Sequence, residues 1–520
     1  MDESTRVLLL SGSAWRERAY DRDALPERVL QFGTGVLLRS ICAAAVDAAN
    51  RAGTFGGRIV VVQSTAGGRA AALNAQHGLF TLLERGIAGG EMVERDTLVG
   101  AISRALVTET QWDAVRAIAA TPELRVVVSN VTEAGFRLDE PEPKPGNPAR
   151  VPASFPAKLT DLLYTRFTRL PHGPRLLVIP TELVPGNGPL LAGMVAELAS
   201  RYGNAHEFQA WVGTQVHFCS SLVDRITTGL PEPSLRDTIE SGLGYRDGLL
   251  TLTEPYSLWA VEGAPGELRE AFPIDAASPH AVVFAPDIGF YAERKLRLLN
   301  GAHTAVAPLA LMAGVPTVRE AVQHPRLGSF LRETLFKEIL PSTDLPPDEA
   351  VAFARSVIDR FGNPWLVHEW RMIAINQLAK LRLRLVPSLI GFHAHRGELP
   401  PGLMLSLAAS LRFARTVEPP SAGEGKGWWR GEGYRIVDIE LSRLSRHWLA
   451  AAPGASPEAA LSAEALSRLA ALALADAELW GLDLTGLAGL HDGVTRALVQ
   501  LEHGGVDEAL HQSRKTMEPG

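Results

Sequence analysis

In the first half of the chain, continuous apolar runs alternate with segments of helical spacing. The runs are RVLQF at 28–32, RIVVVQ at 58–63, LRVVVSN at 124–130 and RLLVIP at 175–180. They are short, rich in β-branched residues and apolar on both faces, as strands covered by helices on both sides must be. Between the first two lies LLRSICAAAVDAANRAG, whose apolar residues recur at helical spacing until Gly53. This alternation predicts an α/β domain with a doubly wound parallel sheet.

From about Tyr291 the periodicity turns helical almost throughout, over 295–313, 317–324, 326–339, 348–361, 364–384 and 403–415. The prolines of STDLPPDE (342–349) mark a helix start. Ser456-Pro457-Glu458 has the form of an N-cap followed by proline at the first helical position. PPSAGEGKGWWRGEGY (419–434) is expected as an exposed glycine-rich loop. The division is therefore a sheet domain over 1–290 and a mostly α-helical domain over 291–520, consistent with a chain of 520 residues, which is too long for one core.

Composition narrows the function. A net charge of -7 argues against a nucleic-acid partner, since phosphate neutralisation needs a basic face. The two cysteines, Cys42 and Cys219, cannot supply a disulfide framework or a cysteine-rich zinc site. Reduced, buried thiols fit a cytoplasmic protein. The first residues do not form a secretory signal, and no apolar run is long enough for a membrane span.

The turn QFGTGVLLR (31–39) follows the first strand and opens the first helix. Gly33 would permit a tight turn, and Thr34 and Gly35 would expose backbone N–H groups to a pyrophosphate at the helix N-terminus. The third glycine of the Rossmann-type fingerprint is replaced by Leu38, so a plain strand-to-helix turn stays open beside a dinucleotide site. The second strand ends in Gln63, where an acidic residue would hold the adenosine ribose. Gln63 can donate to a ribose hydroxyl, whereas Arg69 would suit a 2′-phosphate. NAD is preferred and NADP is not excluded. Asn130, ending another strand, is a candidate ribose or nicotinamide contact; an asparagine closing a strand in a turn is the plain alternative.

KLRLLNGAH (295–303) places an amine, an amide and an imidazole on a helix. At about 100° per residue, Lys295, His303 and Asn300 fall at roughly 0°, 80° and 140°, while Arg297 and Arg294 point elsewhere. A solvated helix face would look similar. Yet Asn-Gly suits an exposed helix interior poorly, and the segment begins where the sheet domain ends. Reducing a carbonyl needs a proton donor and hydrogen bonds to the developing alkoxide. A desolvated lysine can fill the first need and an asparagine the second.

Taken together, these segments resemble the long-chain mannitol dehydrogenase family of polyol-specific dehydrogenases and uronate reductases. The Lys-x-x-x-x-Asn-x-x-His pattern matches its signature. FGTGVLLR, SNVTEAG (129–135), SFPAKLTDLLYTRF (154–167), ELVPGNG (182–188), SLVDRI (221–226) and NPWLVHEW (363–370) look like its blocks, in order. The resemblance implies a metal-independent, reversible hydride transfer on a sugar or sugar acid. It implies Lys295 as general acid/base, Asn300 with Asn187 as the oxyanion pair, and His303 binding substrate hydroxyls. It also implies Asp224 lining the site and Arg371 as a candidate partner for a substrate carboxylate. Asp224 could instead form a structural ion pair and Arg371 stand exposed. PTELVPGNG departs from the more acidic form of that loop, so different substrate contacts are expected there. A monomer is the family-based expectation. A non-catalytic nucleotide-binding protein is the rival of another class, but it would have no use for a proton-transfer lysine.

Overall fold

The computed structural model describes residues 20–131, 135–138, 150–202, 204–278, 281–456 and 458–517. The chain divides into two compact units. One comprises Met1–Arg85 and Met92–Tyr291; the other comprises Ala292–Gly520 together with the short segment Gly86–Glu91.

In the first unit six strands form one parallel sheet: β1 (Glu27–Phe32), β2 (Arg58–Gln63), β3 (Ile102–Val107), β4 (Val126–Ser129), β5 (Leu176–Pro180) and β6 (Val216–Phe218). Their spatial order is β3-β2-β1-β4-β5-β6, every neighbour parallel. From β1 the chain winds outward to β2 and β3, then crosses back to β4 on the other side. The sheet thus has its switch point between β1 and β4, where open α/β sheets bind ligands beyond the strand ends. The apolar runs are buried because each face packs on its own core. Val29, Val61 and Val128 belong to one cluster, and Leu30, Phe32, Val60 and Val127 to the other. Two smaller three-stranded sheets complete the unit.

The second unit is helical with one hairpin. Three expectations change here. The stretch 364–384 is two helices, Trp370–Ile373 and Gln377–Arg384. They are separated at Asn376, which adopts a left-handed conformation (φ 56°). The break is held from outside: the Asp438 carboxylate accepts from the Leu378 N–H, and the Asn376 side chain accepts from the Ile439 N–H.

The glycine-rich stretch 419–434 is not a loop. Strands Glu424–Trp429 (β7) and Glu432–Val437 (β8) pair antiparallel. A Cβ at Gly427 would lie 2.4 Å from the Tyr434 ring. The glycine makes room for an aromatic across the ladder, and Tyr434 then donates to the Phe413 carbonyl.

Finally, the helix expected at Ser456 begins at Ala463. Its cap is Ser462, which accepts from the Ala465 N–H. Burial starts at Ala465 and Leu466, so the apolar stripe sets the start rather than the earlier proline signal. Pro457 itself lies outside the described residues.

Candidate active site

The nucleotide-binding candidates converge at the carboxyl ends of three adjacent strands. Phe32, Val62 and Ser129 are register partners, so Gly33, Gln63 and Asn130 follow side by side. Gly33 has φ 122°, and a Cβ there would lie 2.8 Å from the Asn130 carbonyl oxygen. Only glycine satisfies both constraints. A Cβ at Gly35 would meet nothing within 4 Å; as N-cap of the helical run it makes no side-chain hydrogen bond. Backbone N–H groups at a helix start, beside a glycine that carries no side chain, suit a pyrophosphate. That is the fit this cradle offers a dinucleotide.

The surrounding polar groups mostly brace the cradle. The Thr34 hydroxyl accepts from the Arg69 N–H, tying the second strand's loop to the glycine turn. Gln63 donates to the Thr65 carbonyl and accepts from the Ala70 N–H, capping the next helix. Asn130 donates to the Thr181 hydroxyl. Of the SNVTEAG block, residues 132–134 lie outside the described residues.

Asn187 is buried, and its amide is heavily engaged. Nδ2 donates to the carbonyls of Pro180, Glu182 and Ser221, and Oδ1 accepts from the Ser221 N–H. It pins the loop after β5 to the strand Ser221–Asp224. To donate to an alkoxide it must release one of these acceptors. Asp224 ends that strand, buried. Its neighbour Arg225 is paired with Glu84 at 2.6 Å.

In the second unit, Lys295–Asn300 winds as a π-type turn and Gly301–Met312 continues as α-helix. The Gly301 N–H bonds the Leu296 carbonyl, five residues back. Each residue in such a turn rotates less than in an α-helix. Asn300, five residues after Lys295, is therefore closer to it in angle than α-helical spacing implies. Arg297 points away, donating to Ser388 and Ser342. Arg294 lies over the Phe353 ring.

The helix that follows has no solvated face near His303, since Gly301 through Ala310 are all buried. It contains Pro308, which cannot donate to the Thr304 carbonyl. Interior proline costs an isolated helix about 3 kcal/mol. Here the orphaned carbonyl accepts from Gln377 Nε2 at 2.8 Å.

His303 stacks on Phe361 with ring centroids 4.0 Å apart, with His368 and Trp370 each at 6.0 Å. Its Nε2 is buried and meets no hydrogen-bond partner among the described residues. Burial, reinforced by His368, Arg360, Arg384 and Lys380, holds its pKa well below the ordinary histidine value. The imidazole is therefore neutral near pH 7.

Two of those cations escaped the sequence reading. Arg384 donates to the Thr304 hydroxyl at 3.1 Å and reaches the Asn300 carbonyl. Burial lowers its pKa to about 10, and among the described residues it has no ion-pair partner. Lys380, one helical turn earlier, donates to the Ile373 carbonyl. Burial and the nearby Arg384 push it down to about 8. The i, i+4 spacing in KLRLR (380–384) was their only trace in the sequence. Arg371 is exposed and paired with Glu369 at 2.5 Å, and it lines a groove with Met312, Trp429 and Tyr434.

Comparisons with known proteins agree across nearly the whole chain. The model of the mannitol dehydrogenase Rossmann domain matches residues 27–270, and that of the mannitol dehydrogenase C-terminal domain matches 287–424. The altronate oxidoreductase of Halalkalibacterium halodurans is 37% identical over 502 residues, covering 94% of each chain. That of Bacillus subtilis (strain 168) is 34% identical over 489 residues, covering 94% of this chain and 95% of the relative. Among solved structures, the Pseudomonas fluorescens mannitol 2-dehydrogenase ternary complex with NAD and D-mannitol aligns with a TM-score of 0.66 at 22% identity, covering 96% of each chain. A substrate-free D-sorbitol dehydrogenase aligns at 0.72 and 20% identity, covering 94% of this chain and 96% of the other. The chain belongs to the mannitol dehydrogenase family.

Proposed function

We propose that the protein catalyses the NAD-dependent, reversible reduction of D-tagaturonate to D-altronate. The observation that carries this reading is the half-buried guanidinium of Arg384, without a carboxylate partner among the described residues, bonded to the Asn300 carbonyl and the Thr304 hydroxyl. A partly desolvated cation without a carboxylate partner suits an anion, and a sugar acid brings one. The relatives named altronate oxidoreductase support the same substrate class.

When bound, the dinucleotide supplies the hydride. Lys295 protonates the developing alkoxide and removes that proton in the reverse direction. Asn300 donates to the same oxygen; Asn187 joins it if it gives up one backbone acceptor. Neutral His303 holds a substrate hydroxyl through Nε2. Asp224 keeps the substrate-contact role that the family pattern implies for it. Arg384 and Lys380 hold the carboxylate, the part the sequence reading assigned to Arg371. Residues 1–290 and 291–520 act as nucleotide-binding and substrate domains. The enzyme works as a monomer in the cytoplasm, consistent with its buried free cysteines. Among the described residues no helix is long and apolar enough to cross a membrane.

The test is a panel of tagaturonate, fructuronate and fructose with NADH or NADPH. Tagaturonate with NADH is expected to turn over fastest. Fructuronate as the better substrate moves the reading to the sibling reductase; oxidation of coenzyme with fructose alone sinks the sugar-acid reading. Preference for NADPH would transfer the weight to Arg69. Inactivity with all three leaves the non-catalytic binding protein. Lys295→Ala should lower turnover by about 10²–10⁴-fold while NADH affinity is kept.

A further inference from the structure

The groove that holds Arg371 is a separate feature of the helical unit. From His303 to Met312 the helix advances nine residues, roughly 14 Å at 1.5 Å per residue. The groove has a volume of about 670 Å³. Its walls are the helix end at 311–314, residues 371, 372, 374 and 375, and every residue of β8.

A strand that lines a groove along its whole length presents its edge to it. The hairpin turn has Arg430 at φ 47° and Gly431 at φ 96°, the two-residue type whose closing pair exchanges both backbone bonds. That pair is Trp429 and Glu432. Bonded pairs then recur at every second residue. Residues 432, 434 and 436 turn their backbone groups toward β7, and 433, 435 and 437 turn them outward. The Val437 carbonyl follows this rule, accepting from the Asn376 N–H at 2.8 Å. Among the described residues, the outward N–H and C=O groups of Gly433 and Arg435 meet no partner.

The opposite wall is apolar, with Leu311, Met312, Ile375 and Met372, the last 61% exposed. Three guanidiniums and one carboxylate line the groove: Arg371, Arg430, Arg435 and Glu432. Arg371 and Arg435 pair with Glu369 and Glu424, both on the exposed surface, where such pairs are weak and readily exchanged. Arg430 sits 5.4 Å from the Trp429 ring centroid and has no ion pair among the described residues.

We propose that this groove binds an extended acidic peptide segment of another protein, added as a third strand on β8. Main-chain bonds form at Gly433 and Arg435, alternate apolar side chains pack on Met372 and Ile375, and carboxylates meet Arg430 and Arg435. An open edge supplies affinity and the flanking pockets and charges supply selectivity, as in other strand-addition sites.

The experiment titrates the full-length protein with three blocked hexapeptides in which valine alternates with glutamate, lysine or serine. Binding is followed by calorimetry and by amide hydrogen exchange. The glutamate peptide is expected to bind saturably and to slow exchange at Gly433 and Arg435. Gly433→Pro removes one outward N–H at an edge position that tolerates proline, and should weaken binding at least tenfold without changing turnover. Arg435→Glu should shift preference to the lysine peptide; circular dichroism checks that both variants fold. Equal binding of all three peptides, or of none, overturns the proposal. So does glutarate binding as tightly as the acidic peptide, which would make this a small-anion site. A dimer in ultracentrifugation that Gly433→Pro dissociates would give the edge to a second copy, and overturns it as well.

Discussion

The sharpest prediction concerns Arg384→Gln. Glutamine keeps a donor near the Thr304 hydroxyl, to which Arg384 donates at 3.1 Å, but it carries no charge. A hydrogen bond to a charged group contributes about 1.5–3 kcal/mol. With a tenfold change per 1.4 kcal/mol, the variant should lose roughly 10- to 150-fold in kcat/KM for tagaturonate. Fructose has no carboxylate, so whatever weak turnover it shows should change less than about threefold, the spread expected for context alone. The assay is initial-rate NADH oxidation with both substrates, alongside a thermal melt. If both substrates lose equally, or if the variant melts much earlier, Arg384 is a scaffold for Thr304 and Asn300 rather than a carboxylate anchor.

Other outcomes follow from the same geometry. Lys380 titrates at about 8 and is cationic below it, so KM for tagaturonate should rise as pH passes through that value; Lys380→Met should flatten the profile, and an unchanged profile removes Lys380 from the substrate's surroundings. Gly33→Ala pushes a Cβ to 2.8 Å from the Asn130 carbonyl at φ 122°, strain of about 1–3 kcal/mol. It should lower the melting temperature and weaken NADH binding measured by fluorescence, and full retention of both contradicts the cradle. Glu338 is buried beneath a helix start, accepting from the N–H groups of Gly402 and Leu403; burial raises its pKa from 4.5 to about 8. Because the folded pKa is the higher one, its contribution to stability is full below about 4.5 and is lost as pH rises through 8. Urea unfolding across that range should show the decline, and Glu338→Gln should level it; parallel profiles for the two proteins would count against the assignment.

What the residues determine alone is what depends on local pattern. The runs at 28–32, 58–63, 124–130 and 175–180 became β1, β2, β4 and β5 because a strand covered on both faces must be apolar throughout. The glycine turn was legible because φ 122° at Gly33 admits no other residue. KLRLLNGAH announced its chemistry through composition and spacing, since both lie within one stretch of chain. Elsewhere the pattern misled. Glycines at 423–433 read as a loop, yet Gly427 exists to make room for Tyr434, a partner seven residues away whose position only the ladder register decides. The reading of 364–384 as one helix failed at Asn376, which is held by Val437 and Ile439 while Asp438 accepts from Leu378, all distant in sequence.

The site divides along the same line. Winding decided that Asn300 lies closer in angle to Lys295 than α-helical spacing implies, because a π-type turn is set by backbone hydrogen bonds that no spacing rule encodes. Packing decided that His303 is neutral, since its pKa answers to Phe361, His368 and Arg384 around it. Asn187 reads as a free donor in a GNG turn; its three backbone acceptors come from Pro180, Glu182 and Ser221, the last on another strand. Arg371 and Arg384 are both helix arginines in sequence. Only the tertiary fold half-buries one beside the Asn300 carbonyl and leaves the other on an exposed groove, because the burial of a long charged side chain depends on neighbours that its own segment does not contain.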